Sequence, residues 1–152
     1  MAAEQYNARD VVFQIEDYLN PGVWTSIGPK GIETFSKSKE YETADTTTFG
    51  SNGQAESQNM QIGQAMQLEG KRLRDSATGA IDAGQLMVET QSERLGDASN
   101  TGFRFAHKDD TTWTVWAKAN FQMGEEGAGT NEKVTWSVTV TRSGASSTAA
   151  KV

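Results

Sequence analysis

The sequence contains no cysteine. That excludes disulfides, thiolate metal ligands and cysteine nucleophiles together, and it says nothing about compartment. It has one histidine, His107, so no pair of imidazoles is available for a zinc site, and a serine triad would have to use that single ring as its base. The two prolines, Pro21 and Pro29, belong to no proline-rich linker. No stretch approaches the roughly 18 to 20 consecutive apolar residues of a membrane-spanning helix. Met1-Ala2-Ala3-Glu4-Gln5-Tyr6-Asn7 offers neither a basic region nor an apolar run, so no secretory signal is expected within this chain. Positive charge is also scarce: 14 Lys and Arg stand against 20 Asp and Glu, a net charge of −6. A nucleic-acid grip normally needs a basic patch that displaces counterions from phosphates, so tight DNA binding is not expected. No internal repeat of 20 to 50 residues is present.

The 152 residues, 36% of them apolar, suit one domain with a useful core, and most of the pattern is β. Val11, Phe13 and Ile15 alternate with Val12, Gln14 and Glu16, the period of a half-buried strand. Asn20-Pro21-Gly22 is a turn, followed by a short strand over residues 23–27. Gly28-Pro29-Lys30-Gly31 turns again into Ile32-Glu33-Thr34-Phe35. Phe103 and Phe105 mark another strand, joined through the polar turn at Lys108-Asp109-Asp110-Thr111 to a long one. In that one Trp113, Val115, Ala117, Ala119 and Phe121 share a face, with Trp116 as the exception on the polar side. A glycine-rich loop over 124–131 leads to Val134, Trp136, Val138 and Val140, again in strict alternation. The expected fold class is mainly β.

One helix is plausible, capped by Asp82 with Gln85 three residues on, as in a capping box, and ended by Gly96. A strand through Leu86-Met87-Val88 is the alternative. Residues 42–70 are dominated by Thr, Ser, Gln, Asn and Gly, with Asn52-Gly53 as a hairpin turn signal. Polar segments of this length are functional or disordered. Phe49, Met60, Ile62, Met66 and Leu68 argue for order, and the segment reads as a long protruding hairpin whose partner lies on another subunit. Ser143 to Ala150 is small and polar, as a flexible tail would be.

Candidates for chemistry are few. His107 lies at a strand end beside a turn, Asp109-Asp110 suits a turn, and Glu125-Glu126 suits a solvated loop. The stretch Gly63 to Lys71 lacks phosphate-loop spacing, and Arg72 stands where Ser or Thr should follow. No catalytic residue, metal ligand or cofactor is assigned. Trp113 and Trp136 read as core residues, while Trp24 and Trp116 are equally good candidates for subunit contacts.

Three segments resemble the tail tube (major tail) protein family of long-tailed, siphovirus-type bacteriophages. They are Glu42-Thr43-Ala44-Asp45-Thr46-Thr47-Thr48-Phe49 with the Asn52-Gly53 turn, Ile81-Asp82-Ala83-Gly84-Gln85-Leu86 with Leu95-Gly96, and the glycine-rich loop with Lys133-Val134-Thr135-Trp136-Ser137-Val138-Thr139-Val140. The resemblance covers roughly residues 10 to 144. The glutamines and asparagines of the hairpin depart from the family pattern. It implies a single tail tube domain over 1–152, a β-sandwich with an N-terminal arm (1–9), a long protruding inter-subunit hairpin (about 42–70), one flanking α-helix and a flexible C-terminal tail (144–152). It implies a structural virion protein, not an enzyme, that forms stacked hexameric rings in the tail tube after a stay in the host cytoplasm. Its partners would be itself, the tape measure protein, tail terminator and tail-tip proteins, and passing double-stranded DNA that is not specifically bound. An acidic lumen would repel a polymer carrying one charge per about 1.7 Å. Thr46, Thr47, Thr48, Phe49, Met60, Ile62, Met66, Trp24 and Trp116 are the expected contact residues. Two rivals are a tube component of a bacterial contractile injection or secretion system and a monomeric β-sandwich binding module.

Overall fold

The computed structural model describes residues 3–5, 7–29 and 31–151. Residues 1, 2 and 6 of the expected arm, Lys30 of the second turn and Val152 of the tail lie outside the described residues. The chain is mainly β, with one α-helix among the described residues. The strands are β1 (Val11–Glu16), β2 (Trp24–Ser26), β3 (Ile32–Asp45), β4 (Ser57–Lys71), β5 (Asn100–His107), β6 (Thr112–Met123), β7 (Thr135–Arg142) and β8 (Ser146–Ala150), and the helix α1 is Ala83–Ser92. All pairings are antiparallel, in the order β2-β1-β5-β6-β7-β4-β3, with β8 added to β6. The expected sandwich is one continuous sheet folded over on itself. Phe13 of β1 meets Phe35 of β3 edge to face at 5.3 Å, although four strands separate them in the ladder.

The core between the layers is aromatic and β-branched. Phe103, Trp116, Trp136, Ile15, Leu68, Val88 and Val140 are all fully buried, and Phe103 touches the rings of Phe13, Phe105, Trp116 and Phe121. At about 25 cal/mol per Å² of apolar surface removed from water, such a cluster supplies most of the drive to fold.

α1 begins where its cap dictates. The Asp82 carboxylate accepts the Gln85 N–H at 3.1 Å and the Gly28 N–H at 3.1 Å, so one side chain caps the helix and fastens it to the turn before β3. The capping box is only half formed. The Gln85 amide turns inward, fully buried, donating to Lys71 O at 3.0 Å and accepting from Leu73 N at 2.9 Å. It closes the end of β4. A Cβ on Gly84 would lie 2.0 Å from Ser26 O, so only glycine lets the helix backbone come this close to β2. The helix ends at Ser92, ahead of Gly96, which instead opens a 3-10 turn over Gly96–Ser99.

Two expectations about the C-terminal half are corrected. Between the pairs Thr101↔Ala119 and Phe103↔Trp116, one residue on β5, Gly102, opposes two on β6, Ala117 and Lys118. The extra residue is a bulge, and it carries Trp116 and Ala119 to the same, core-facing side, leaving Ala117 exposed. Trp113 therefore faces away from that core. It is buried instead beneath two cations, Arg104 at 4.5 Å and Lys151 at 5.0 Å from its ring centroid. The segment expected to be a flexible tail is strand β8, paired with β6 from Trp116↔Ser146 to Thr112↔Ala150. β7 and β8 thus run in succession along one edge of β6. Lys151 secures the end, donating to the carbonyls of His107 and Lys108 at 3.0 Å each.

Candidate assembly surface

The hairpin is longer than the sequence suggested. It begins at Ile32, and its ladder runs from Ile32↔Gly70 to Asp45↔Ser57, with register shifts at Glu33 and at Met60. β7 covers β4 only from Ala65 to Lys71. Residues 38–63 therefore form a two-stranded ribbon with both outer edges unpaired among the described residues. An isolated ribbon of this kind is marginal in water, and its edges are templates for further pairing.

One face of the ribbon continues the core face of the sheet. Phe35↔Leu68, Lys37↔Met66, Lys39↔Gln64 and Tyr41↔Ile62 succeed one another along it, because cross-strand partners share a face and alternate residues return to it. The first pairs belong to the body, where Leu68 and Met66 are buried and the Lys37 ammonium lies over the Phe105 ring. Further out the same stripe is bare: Tyr41 is 52% exposed and Ile62 53%, and nearby Met60 is 63% exposed. Met60 is the residue skipped where the register jumps from Glu42↔Gln61 to Thr43↔Asn59. Arg142 braces the point of departure, donating to Gln64 Oε1 at 3.0 Å and to Ile62 O at 3.2 Å.

The tip is built by its threonines. Thr46 N donates to Glu56 O, Glu56 N donates to Thr47 Oγ1 at 2.8 Å, and Thr47 N donates to Asp45 Oδ1 at 2.8 Å. Hydrogen bonds from Thr47, its side chain first and its N–H second, hold the Asp45 carboxyl below the usual carboxylate range. Thr48 and Ser51 cap each other across a short 3-10 turn, and Asn52 and Gly53 take positive φ to reverse the chain. Phe49 is left fully exposed at the tip.

The expected contact residues thus divide. Thr46, Thr47, Thr48, Phe49, Met60 and Ile62 lie together on the tip and outer ribbon. Met66 and Trp116, expected at subunit contacts, are corrected: they are 1% and 0% exposed in the chain's own core. Trp24 is half-buried, with the Arg104 guanidinium 4.3 Å from its ring centroid and so held between Trp24 and Trp113. Tyr41 was missed, although it lies two residues from the threonine segment that drew attention.

The titratable side chains singled out earlier take structural places. His107 Nδ1 accepts the Asp109 N–H at 3.2 Å, and Asp110 accepts the His107 N–H at 3.1 Å, closing the β5–β6 turn. Glu126 is no free loop charge: it shares Arg72 with Glu89, tying the β6–β7 loop and α1 to the end of β4. The Glu89 hydrogen bond raises the Arg72 pKa against the opposing effect of burial. No group of three or more acidic or histidine side chains capable of holding a metal occurs among the described residues.

No family model matches the chain, and no curated protein matches it by sequence. Solved structures do. A chain from the tail of an empty gene transfer agent particle, refined with six-fold helical symmetry, aligns with a TM-score of 0.66 at 16% identity, covering 96% of this chain and all of that one. A chain of the native gene transfer agent virion aligns at 0.60 and 15% identity, over 96% of this chain and all of that one. A chain of the six-fold symmetrised anti-feeding prophage baseplate aligns at 0.60 and 14% identity, covering 98% of each. At these identities the likeness is one of fold.

Proposed function

We propose that this chain is a structural subunit of a tail-like tube, assembling with copies of itself into stacked rings. The observation that carries this reading is the ribbon of residues 38–63. Its Tyr41 and Ile62 are exposed although they continue a buried core face, and Met60 at the register shift and Phe49 at the tip are exposed as well. A second copy is the partner that such a self-contained surface feature suits, since repeated head-to-tail contacts close into rings or extend into filaments. The shared fold with six-fold symmetric tail and baseplate chains supports the same reading. In its full form the proposal is a homohexameric ring of a siphovirus-type virion tail. Its lumen would hold a tape measure protein and later conduct DNA, with terminator and tip proteins at its ends and some of the surplus acid facing inward. Trp24 and the tip residues Thr46 to Phe49 are the contacts proposed between copies.

Electron microscopy of the concentrated chain tests this, with hollow tubes or rings of uniform width as the expected result. Monodisperse particles at every concentration would instead favour a monomeric binding module. The likeness to the anti-feeding prophage baseplate chain supports a second reading, a tube component of a bacterial injection or secretion machine. Genes for a contractile sheath beside this one would favour it.

A further inference from the structure

Of the seven asparagines only Asn52 precedes a glycine, and the fold puts that pair at the turn of the hairpin. Asn52 sits in the left-handed region at φ 52° and ψ 43°, and Gly53 follows at φ 79°. Both are exposed. A Cβ added at Gly53 would meet nothing within 4 Å, so the space around that residue is open. One backbone hydrogen bond closes the turn, from Gln54 N–H to Ser51 O at 3.0 Å. The Asn52 carboxamide and the Gly53 N–H have no hydrogen-bond partner among the described residues. The other asparagines are placed differently. Asn20 precedes Pro21, which has no N–H. The N–H that follows Asn131 is engaged, with Glu132 donating to Gly129 O at 3.1 Å. Asn59, Asn100 and Asn120 lie within paired strands, Asn59 against Thr43 and the other two against each other. Asn7 precedes Ala8 at the start of a 3-10 turn.

We propose that Asn52 is a site of spontaneous covalent modification, deamidation through a cyclic imide closed by the Gly53 nitrogen. That nitrogen, its proton taken up by solvent hydroxide, attacks Cγ of Asn52. The N–Cγ bond forms, the Cγ–Nδ2 bond breaks, and Nδ2 leaves as ammonia with a proton from water. Water then opens the ring at one of its two carbonyls. Cleavage at Cγ yields aspartate. Cleavage at the main-chain carbonyl yields isoaspartate, whose chain runs on through Cβ and Cγ. Water is the only co-reactant. Ring closure requires Asn52 to rotate about ψ until the Gly53 nitrogen faces Cγ. Little opposes that rotation: one hydrogen bond closes the turn, and Asn52 already occupies a region that is costly for an L-residue. Glycine brings no side chain to hinder the approach. Either product sets a new carboxylate at a tip that already carries Asp45 and Glu56, in a stretch from Glu40 to Gly70 without lysine or arginine. Isoaspartate also adds an atom to the main chain between Ser51 and Gln54. The reversal then no longer fits their hydrogen bond, and the Thr48–Ser51 cap that presents Phe49 is displaced.

The site is independent of the self-assembly reading, and its test needs no tubes. The full-length folded chain is incubated in mildly alkaline buffer beside a synthetic peptide of residues 48–56, and both are followed by peptide mapping with mass spectrometry. Loss of the Asn52 amide in the folded chain is expected within about tenfold of the peptide's rate. Tenfold corresponds to about 1.4 kcal/mol, near the upper end of what one hydrogen bond contributes. Asn59, Asn100 and Asn120 of the same sample are expected to stay intact over that interval. Asn52→Gly, which keeps the positive φ and lacks the carboxamide, is expected to abolish the early change. Slowing of Asn52 by more than about a hundredfold against the peptide, twice that free energy, would overturn the site, as would equal loss at the strand asparagines. In the isoaspartate fraction the Thr48, Ser51 and Gln54 amide resonances are expected to shift while core amides do not. Unchanged tip resonances there would overturn the displaced cap.

Discussion

The body of the molecule and the ribbon of residues 38–63 are the same antiparallel ladder built from opposite materials. In the body, β5, β6 and β7 alternate large apolar and polar side chains, and Phe103, Trp116 and Trp136 are sealed between layers. In the ribbon, nearly every residue from Ser38 to Gly63 is exposed, and hydrogen bonds replace packing as the cohesive element. The contrast separates two tasks. Burial of apolar surface holds the fold, whereas backbone pairing with a sparse apolar stripe holds a shape in readiness for a partner. The body has few outlets for side-chain burial beyond itself; the ribbon has few within.

Four measurements break or sharpen that contrast. Trp116→Ala removes the largest block of the core and is expected to cost about 3–5 kcal/mol, a drop of roughly 10 °C in thermal midpoint for a chain of this size. A loss under about 1 kcal/mol would mean that the body is not held by its aromatic cluster. Gln85→Ala strands the Lys71 carbonyl and the Leu73 N–H. It is expected to cost about 2–3 kcal/mol in denaturant titration, and an equal effect from Gln85→Leu would point to lost polar pairing over lost volume.

Replacing residues 42–61 by an Asn-Gly turn, which joins the paired Tyr41 and Ile62, should change stability by less than about 1 kcal/mol while abolishing tubes. A large fall in thermal midpoint would show that the ribbon supports the body after all. The smallest effect is acid. Because the folded pKa of Asp45 is depressed, its contribution is complete above the ordinary carboxylate value and fades as pH falls through the folded one. Below about pH 4 the Thr47 amide resonance should shift and exchange faster while core amides stay protected. Unchanged tip signals would mean that Asp45 does not hold the turn.

Much of the body was legible because its burial is one-sided. Phe13 and Ile15, or Val138 and Val140, announce themselves by period two, and the Asp82 cap announces α1. The ribbon was legible only at its tip, through Asn52-Gly53 and the threonines. Most of β3 is solvated on both sides, so Ser36-Lys37-Ser38-Lys39-Glu40 carries no alternation to read. Trp116 was misplaced because a bulge shifts the face of every residue beyond it, and no composition rule marks Ala117-Lys118 as its site. β8 was hidden because Ser146-Ser147-Thr148-Ala149-Ala150 joins the sheet by backbone alone. Met66 differs from Met60 and Ile62 only in standing nearer to the body.

The ladder of β3 and β4 also makes the reach of the hairpin a stepped quantity. One residue added to each strand between Tyr41 and the tip would turn every side chain beyond it to the wrong face. Two added to each would keep the faces and carry the tip outward by about 7 Å. The hairpin is in that sense a notched ruler, and any spacing it imposes between neighbouring copies can be lengthened or shortened only notch by notch.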